Sequence, residues 1–239
     1  MPQRGLKLLT TLKEREELFC RSGIDSVIVI KFTRHLQKLS CAKFVANYLV
    51  KKLGVRWVCI GYDYAFGKGR SAGTGRLQEL GKKFDFGVTV VPPLKVGGQI
   101  AKSGKIREML GQGMFNRAVK MLGHPYRLTG RVVRGAGRGK ELGFPTANLK
   151  LDPDKLIPAQ GVYYGLVDNK KCVVNIGARP TFGVGELLVE VHLLNFHGDL
   201  RGRTLSVELL RRLRAEKQFT DALALREQIR KDVVRVQRV

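Results

Sequence analysis

From Tyr126 onward the chain is written in short alternating segments. Residues 126–133, 161–167, 171–177, 187–196 and 204–210 alternate apolar with polar side chains and are parted by turn residues. A period of two fits a strand with one buried face. A series of such strands predicts an antiparallel barrel or sandwich. Thr220 is placed to cap a closing helix, with Ala222, Leu225, Ile229 and Val233 on one side.

The first half reads differently. Residues 11–22 predict a short helix that stops at Gly23. Val27-Ile28-Val29-Ile30 is a continuous β-branched run, the pattern of a strand buried on both faces. Ser40 can cap a helix that carries Phe44, Val45, Tyr48, Leu49 and Leu53 on one stripe and ends before Gly54. Trp57-Val58-Cys59-Ile60 predicts a second buried strand, residues 77–83 a helix, and Val88-Thr89-Val90-Val91 a third strand, stopped by Pro92-Pro93. Strands alternating with helices predict a parallel α/β sheet. Two short helices over 105–122 close this half. We therefore expect an α/β domain over residues 1–122 and an all-β domain over 123–239.

Gly143-Phe144-Pro145-Thr146-Ala147-Asn148-Leu149 is the stretch with the most chemistry in it. It follows Arg134-Gly135-Ala136-Gly137-Arg138-Gly139-Lys140. Glycines let backbone N–H groups surround an anion, and the basic side chains add charge. Thr146 and Asn148 are two residues apart, so on an extended backbone both face one side. A hydroxyl and a carboxamide oxygen are hard donors, suited to a Mg²⁺ that keeps several waters and bridges phosphates. A surface loop leading into a strand has the same composition.

Four later blocks stand in order behind it. They are Gly161-Val162-Tyr163-Tyr164, Asn175 to Phe182 (Asn-Ile-Gly-Ala-Arg-Pro-Thr-Phe), Glu190 to Phe196 (Glu-Val-His-Leu-Leu-Asn-Phe) and Arg214 to Phe219 (Arg-Ala-Glu-Lys-Gln-Phe). Together the five blocks resemble riboflavin kinases, in the form found at the C-terminus of bacterial bifunctional riboflavin kinase/FMN adenylyltransferases. The resemblance implies a Greek-key β-barrel with a C-terminal helix that uses ATP and Mg²⁺ to convert riboflavin to FMN. It assigns Thr146 and Asn148 to the metal and the phosphates. Gly135, Gly137, Arg138, Gly139 and Lys140 form the lead that covers the nucleotide, with Lys140 where the family commonly has arginine. Glu190 is implied as the base that takes the riboflavin hydroxyl proton. An acid inside an apolar strand costs free energy unless it is paired or working. Alternation, however, puts Glu190 and His192 on the face opposite Val189, Val191 and Leu193, where a solvent-facing acid is ordinary. His192 reads as a strand-face histidine, and Asn175 and Arg179 as structural residues beside a turn at Pro180-Thr181-Phe182. Flavin contacts are not assigned. Arg201-Gly202 stands where the family often has Tyr-Gly.

Gly61-Tyr62-Asp63-Tyr64-Ala65-Phe66-Gly67 follows the second strand of the first half. It resembles the Gly-x-Asp-x-x-Phe-Gly block of the Rossmann-like adenylyltransferase module. The module's Ile-Ser-Ser-Thr-x-Ile-Arg block is matched here only at Ser103, Ile106 and Arg107. Its Gly-x-Phe-Asp-Gly-x-His-x-Gly-His block does not occur in the 239 residues. His35 is no substitute without geometry to place it. The expectation is an incomplete nucleotidyltransferase domain, a kinase that makes FMN, and no adenylyl transfer by this polypeptide. The alternative is a bifunctional enzyme whose N-terminus lies outside this sequence.

Composition sets the remaining bounds. The four cysteines are scattered, without a Cys-x-x-Cys pair, so neither a disulfide framework nor a zinc site is indicated. No apolar run is of membrane-spanning or signal-peptide length, which fits the cytoplasm. The net charge is +24: residues 1–122 hold 23 Lys and Arg against 8 Asp and Glu, and residues 123–239 hold 21 against 12. That balance suits an enzyme of ATP and phosphorylated flavins. It also suits a nucleic-acid-binding protein, the alternative of another class, although no RNA-binding aromatic motif accompanies it.

Overall fold

The computed structural model describes residues 5–135, 137–178 and 187–239, and at Arg138 the backbone alone. The chain forms two compact units. One takes residues up to Asp25 together with Ala101–Val239; the other is Ser26–Ile100.

In the larger unit, strands β5 (Tyr126–Val133), β6 (Ala147–Leu151), β7 (Gly161–Val167), β8 (Lys170–Ala178), β9 (Leu187–Leu193) and β10 (Thr204–Arg214) close a six-stranded barrel in the order β10-β5-β6-β9-β8-β7. Every pairing is antiparallel. β7, β8 and β9 run as consecutive neighbours, and β6 returns to lie beside β9, which is a Greek key. The inward faces supply Leu128, Tyr163, Cys172, Val174, Ile176, Val189, Val191, Val207 and Leu209 to one core, so closure leaves no free edge. The predicted alternation is what this core requires. The barrel adds one strand to the five predicted, β6, which directly follows the Gly-Phe-Pro-Thr stretch.

Helix α8 (Ala222–Gln237) packs on the outside of the barrel, where Val236 meets Val162, Tyr164, Val173 and Leu194. A second bond fixes it: Arg214 on β10 grips Asp232 through Nε and a terminal nitrogen, the latter at 2.7 Å. Its cap is Asp221, whose Oδ1 accepts from the Ala224 N–H at 2.7 Å, and not Thr220, which instead donates to Asp221. A carboxylate at the N-cap accepts the free N–H and also faces the positive helix end.

Helix α1 (Leu12–Arg21) docks on the same barrel, although it stands over a hundred residues away in sequence. Thr11 and Glu14 form a capping box. Glu14 is fully buried, and its carboxylate also accepts from the Thr129 N–H on β5 and from Lys155 Nζ at 2.6 Å. Lys155 donates a further bond to the Leu9 carbonyl and lies over the Tyr126 ring. Burial pulls its ammonium below the usual lysine range, against the pull of Glu14. Buried charges survive only when paired and fully bonded, as here. Helices α5 (Ser103–Gly111) and α6 (Phe115–Leu122) add Ile106, Leu110, Phe115 and Ala118 to the barrel core.

In the smaller unit, α2 (Arg34–Lys38) and α3 (Cys41–Phe44) precede β1 (Trp57–Gly61), α4 (Thr74–Phe84) and β2 (Gly87–Val91). Between α3 and β1 the helix continues as a π-helical stretch, Val45–Lys52. β1 and β2 pair in parallel with α4 as the crossover. A two-residue hairpin, β3 (Lys95–Val96) with β4 (Gln99–Ile100), completes it. The α/β pattern is as expected in kind, but two expectations are corrected. Val27–Ile30 is extended without a ladder and is 40–62% exposed. β-branched residues favour strands only where partners cover them, and among the described residues none does. β1 is a strand, yet Trp57 at its start is 65% exposed, so it is not buried on both faces.

Candidate active site

β6 is held back until Ala147 by the turn before it. Pro145 has no N–H for a ladder, and Gly143 takes a φ of 86° that a side chain disfavours. The Phe144 N–H closes the turn on the Gly139 carbonyl at 2.7 Å. Behind it, α7 (Arg138–Glu141) is one helical turn of the glycine-rich lead.

Cross-strand register then makes the site. Asn148 on β6 stands directly opposite Glu190 on β9, and Glu190 stands directly opposite Asn175 on β8. Residues opposite one another share a face, with Cβ atoms about 5 Å apart. Val189 and Val191 point into the core, so Asn148, Glu190 and Asn175 form a polar row on the outer wall. Asn148 is buried, while Glu190 and Asn175 are half-buried. The sequence-predicted Asn148 and Glu190 are thus brought to one surface, and Thr146 is the residue just before β6. Asn175, read from the sequence as a structural residue, joins them.

Two borders close this row. On one side the lead lies against β6. A Cβ built on Gly135 would meet the Asn148 amide nitrogen at 2.0 Å, and one on Gly139 would meet the Phe144 carbonyl oxygen at 2.5 Å and Thr146 Oγ1 at 3.0 Å. Only glycine allows that approach. Gly137 has a φ of 81° with open space around it, and Lys140 is exposed. The side chain of Arg138 lies outside the described residues, as does all of Ala136. On the other side, Glu216 comes against the backbone of Gly177, which also neighbours the Asn175 amide. Glu216 belongs to the Arg214–Phe219 block, whose Arg214 lies over the Phe219 ring. Arg179 and the turn at Pro180-Thr181-Phe182 lie outside the described residues.

The donor set fits a hard divalent cation: a hydroxyl at Thr146 and a carboxamide at Asn148. Among the described residues no cluster of three His, Cys, Asp or Glu side chains holds a metal by itself. A cation here would share its shell with water and phosphate oxygens.

Outside the barrel row, the Gly61–Gly67 stretch turns at the carboxyl end of β1. Phe66 is buried against Phe44, and the Tyr64 and Phe66 rings stack at 5.5 Å. His35 lies exposed on α2. Ser103 begins α5, Ile106 is in the barrel core, and Arg107 donates to the Lys7 carbonyl. Arg201 closes on its neighbour Asp199 through three side-chain contacts, and those hydrogen bonds hold that carboxyl down to about 2.

The riboflavin kinase family model matches residues 122–239, and the FAD synthetase family model matches residues 1–105. The bifunctional riboflavin kinase/FMN adenylyltransferase of Escherichia coli strain K12 is 35% identical over 229 residues, covering 94% of this chain and 73% of that protein. The protein of the same description from Pseudomonas fluorescens is 38% identical over 88% of this chain and 69% of its own length. Among solved structures, one described as a macrolide-efflux protein from Streptococcus pneumoniae superposes with a TM-score of 0.84. It is 29% identical and covers 96% of this chain and 75% of that one. Among the described residues of this chain, no helix is long and apolar enough to cross a membrane.

Proposed function

The chain belongs to the bifunctional riboflavin kinase/FMN adenylyltransferase family, and on that premise we propose that it transfers the γ-phosphoryl group of ATP to the 5′-hydroxyl of riboflavin, giving FMN. The observation that carries this reading is the outer-wall row of Asn148, Glu190 and Asn175, bordered by a lead in which Gly135 and Gly139 touch the very residues that would meet the nucleotide.

Phosphoryl transfer is mainly positioning and charge stabilisation, plus removal of the hydroxyl proton. Glu190 is the group that accepts that proton: it is half-buried, lies mid-strand, and is flanked by neutral amides that do not compete for the proton. Thr146 and Asn148 would hold the phosphates and Mg²⁺, which would supply positive charge against the transferring phosphates. The backbone from Gly135 to Gly139 covers the phosphates, with Arg138 and Lys140 adding charge. Lysine at 140 keeps the charge but not arginine's two-pronged fork. In this reading residues 123–239 are the kinase domain and residues 1–122 an adenylyltransferase-like domain whose residues up to Asp25 and from Ala101 pack in the barrel's unit, and the enzyme works in the cytoplasm.

FMN is the product that the riboflavin kinase match over residues 122–239 supports. A second reading, in which FMN is carried on to FAD, has its own support in the FAD synthetase match. One product assay tests both: riboflavin, ATP and Mg²⁺ are incubated with the protein and the flavins separated. FMN is the result expected of the kinase reading. FMN followed by FAD favours the second reading, and neither product from folded protein overturns the kinase assignment.

A further inference from the structure

Two residues along β9 from Glu190, the side chain of His192 is turned to a different use. The ladder that sets Asn148 opposite Glu190 ends at Ala147 opposite Val191, so the next residues beyond it are Thr146 on one side and His192 on the other. Its Nδ1 lies 2.8 Å from the Pro145 carbonyl oxygen. A carbonyl only accepts, so Nδ1–H is the donor. The imidazole also meets the Phe144 ring edge-on, with centroids 5.6 Å apart and planes at 86°. β6 begins at Ala147, so the Pro145 carbonyl lies outside the strand's ladder and His192 satisfies it. The opposite side of the same turn is held by the bond from the Phe144 N–H to Gly139. Thr146 is the next residue after this doubly held turn.

We propose that His192 is a positioning residue for the nucleotide: it locks the Phe144–Pro145 turn so that the Thr146 hydroxyl stands with Asn148 toward the phosphates. The proposal rests on the kinase reading. It separates His192 from Glu190, its neighbour on the same face: one fixes geometry and the other moves a proton.

Three variants divide the contacts. Asparagine carries an N–H donor the same number of bonds from Cβ as imidazole Nδ1, so His192→Asn keeps the donor without the ring. His192→Phe keeps the ring without the donor, and His192→Ala loses both. Loss of the donor is expected to raise KM for Mg·ATP about tenfold in H192F and H192A, with KM for riboflavin within about threefold of wild type. H192N is expected to stay within about threefold of wild type for both substrates. If the ring only packs the strand face, H192F instead behaves as wild type and H192N is the damaged variant, which overturns the proposal. Binding of a non-hydrolysable ATP analogue with Mg²⁺, measured by calorimetry on wild type and H192F, reads the same contact without turnover. Equal affinities overturn the proposal even where no FMN forms, and that second outcome would count separately against the kinase reading.

Discussion

Val173-Val174 and Val27-Ile28-Val29-Ile30 are the same kind of residue in the same kind of run, and they end differently. Val173 and Val174 sit in β8 with partners on both sides, and Val174 is fully buried. In the other run, Ile28 and Val29 are each more than half exposed. The difference lies in what surrounds each run. In the larger unit a closed barrel pairs every strand, and helices α1, α5, α6 and α8 cover its faces and ends. In the smaller unit the parallel sheet has two strands. Strand propensity is a demand for partners, and one chain meets that demand in one place and leaves it open in another.

The contrast is sharpest in cysteine chemistry. Cys172 is buried in the barrel, and burial pushes its thiol up to about 12; Cys59 on β1 is exposed. Only the thiolate attacks a disulfide reagent. At pH 8 the native protein is expected to label at Cys59 and Cys20 quickly, and at Cys172 more than about a thousandfold more slowly. Mass spectrometry of the labelled peptides checks this. Equal rates would mean that the barrel opens on the labelling timescale.

Glu190→Gln tests the chemistry that the barrel supports. Removing a general base typically costs about 10² to 10⁴ in rate. We expect kcat for FMN formation to fall by at least about a hundredfold, while riboflavin binding, followed by fluorescence quenching, is kept. Turnover near wild type would remove Glu190 as the base. Glu14→Ala tests what holds the barrel's surroundings together. It strands Lys155 and the Thr129 N–H in the interior, and breaking a buried pair from one side costs about 3–5 kcal/mol. Urea unfolding should show that loss. A loss under about 1 kcal/mol would mean that water replaces the carboxylate. Gly135→Ala is milder. Its methyl would occupy the place of the Asn148 amide, so KM for Mg·ATP is expected to rise about tenfold with little change in stability. An unchanged KM would separate Asn148 from the nucleotide.

The sequence made some of this visible and hid the rest for physical reasons. Alternation gave five of the six barrel strands, because a one-sided core imposes a period of two on whatever covers it; β6 was not among the alternating segments. Glu190 stood out as an acid within an apolar strand. Asn175 did not, because its neighbourhood depends on register between β8 and β9, and register is fixed by pairing that no single segment displays. The available signal was its place opposite the inward Val174 and Ile176, on the same kind of outer face as Glu190. Helix α1 was legible, but its docking was not. Glu14 is one of three acids on that helix, and its bonds to Thr129 and Lys155 span 115 and 141 residues. For Val27–Ile30 local pattern and tertiary outcome disagree, and pattern alone cannot register a missing neighbour.

The smallest expected effect makes the comparison vulnerable. Ile28 is 62% exposed, so replacing it with serine removes little apolar contact. Surface substitutions of this kind usually stay within about 0.5 kcal/mol. Val174→Ser exchanges a fully buried valine for a hydroxyl without an obvious partner, and is expected to cost about 3 kcal/mol or more from lost burial and an unpaired polar group. The two variants are measured side by side in urea. If Ile28→Ser also lost more than about 1.5 kcal/mol, the run would be covered in solution, since an exposed side chain cannot carry so large a share of stability. The pairing that the β-branched residues ask for would then be met there, and the difference between the two regions would be one of partner and not of kind.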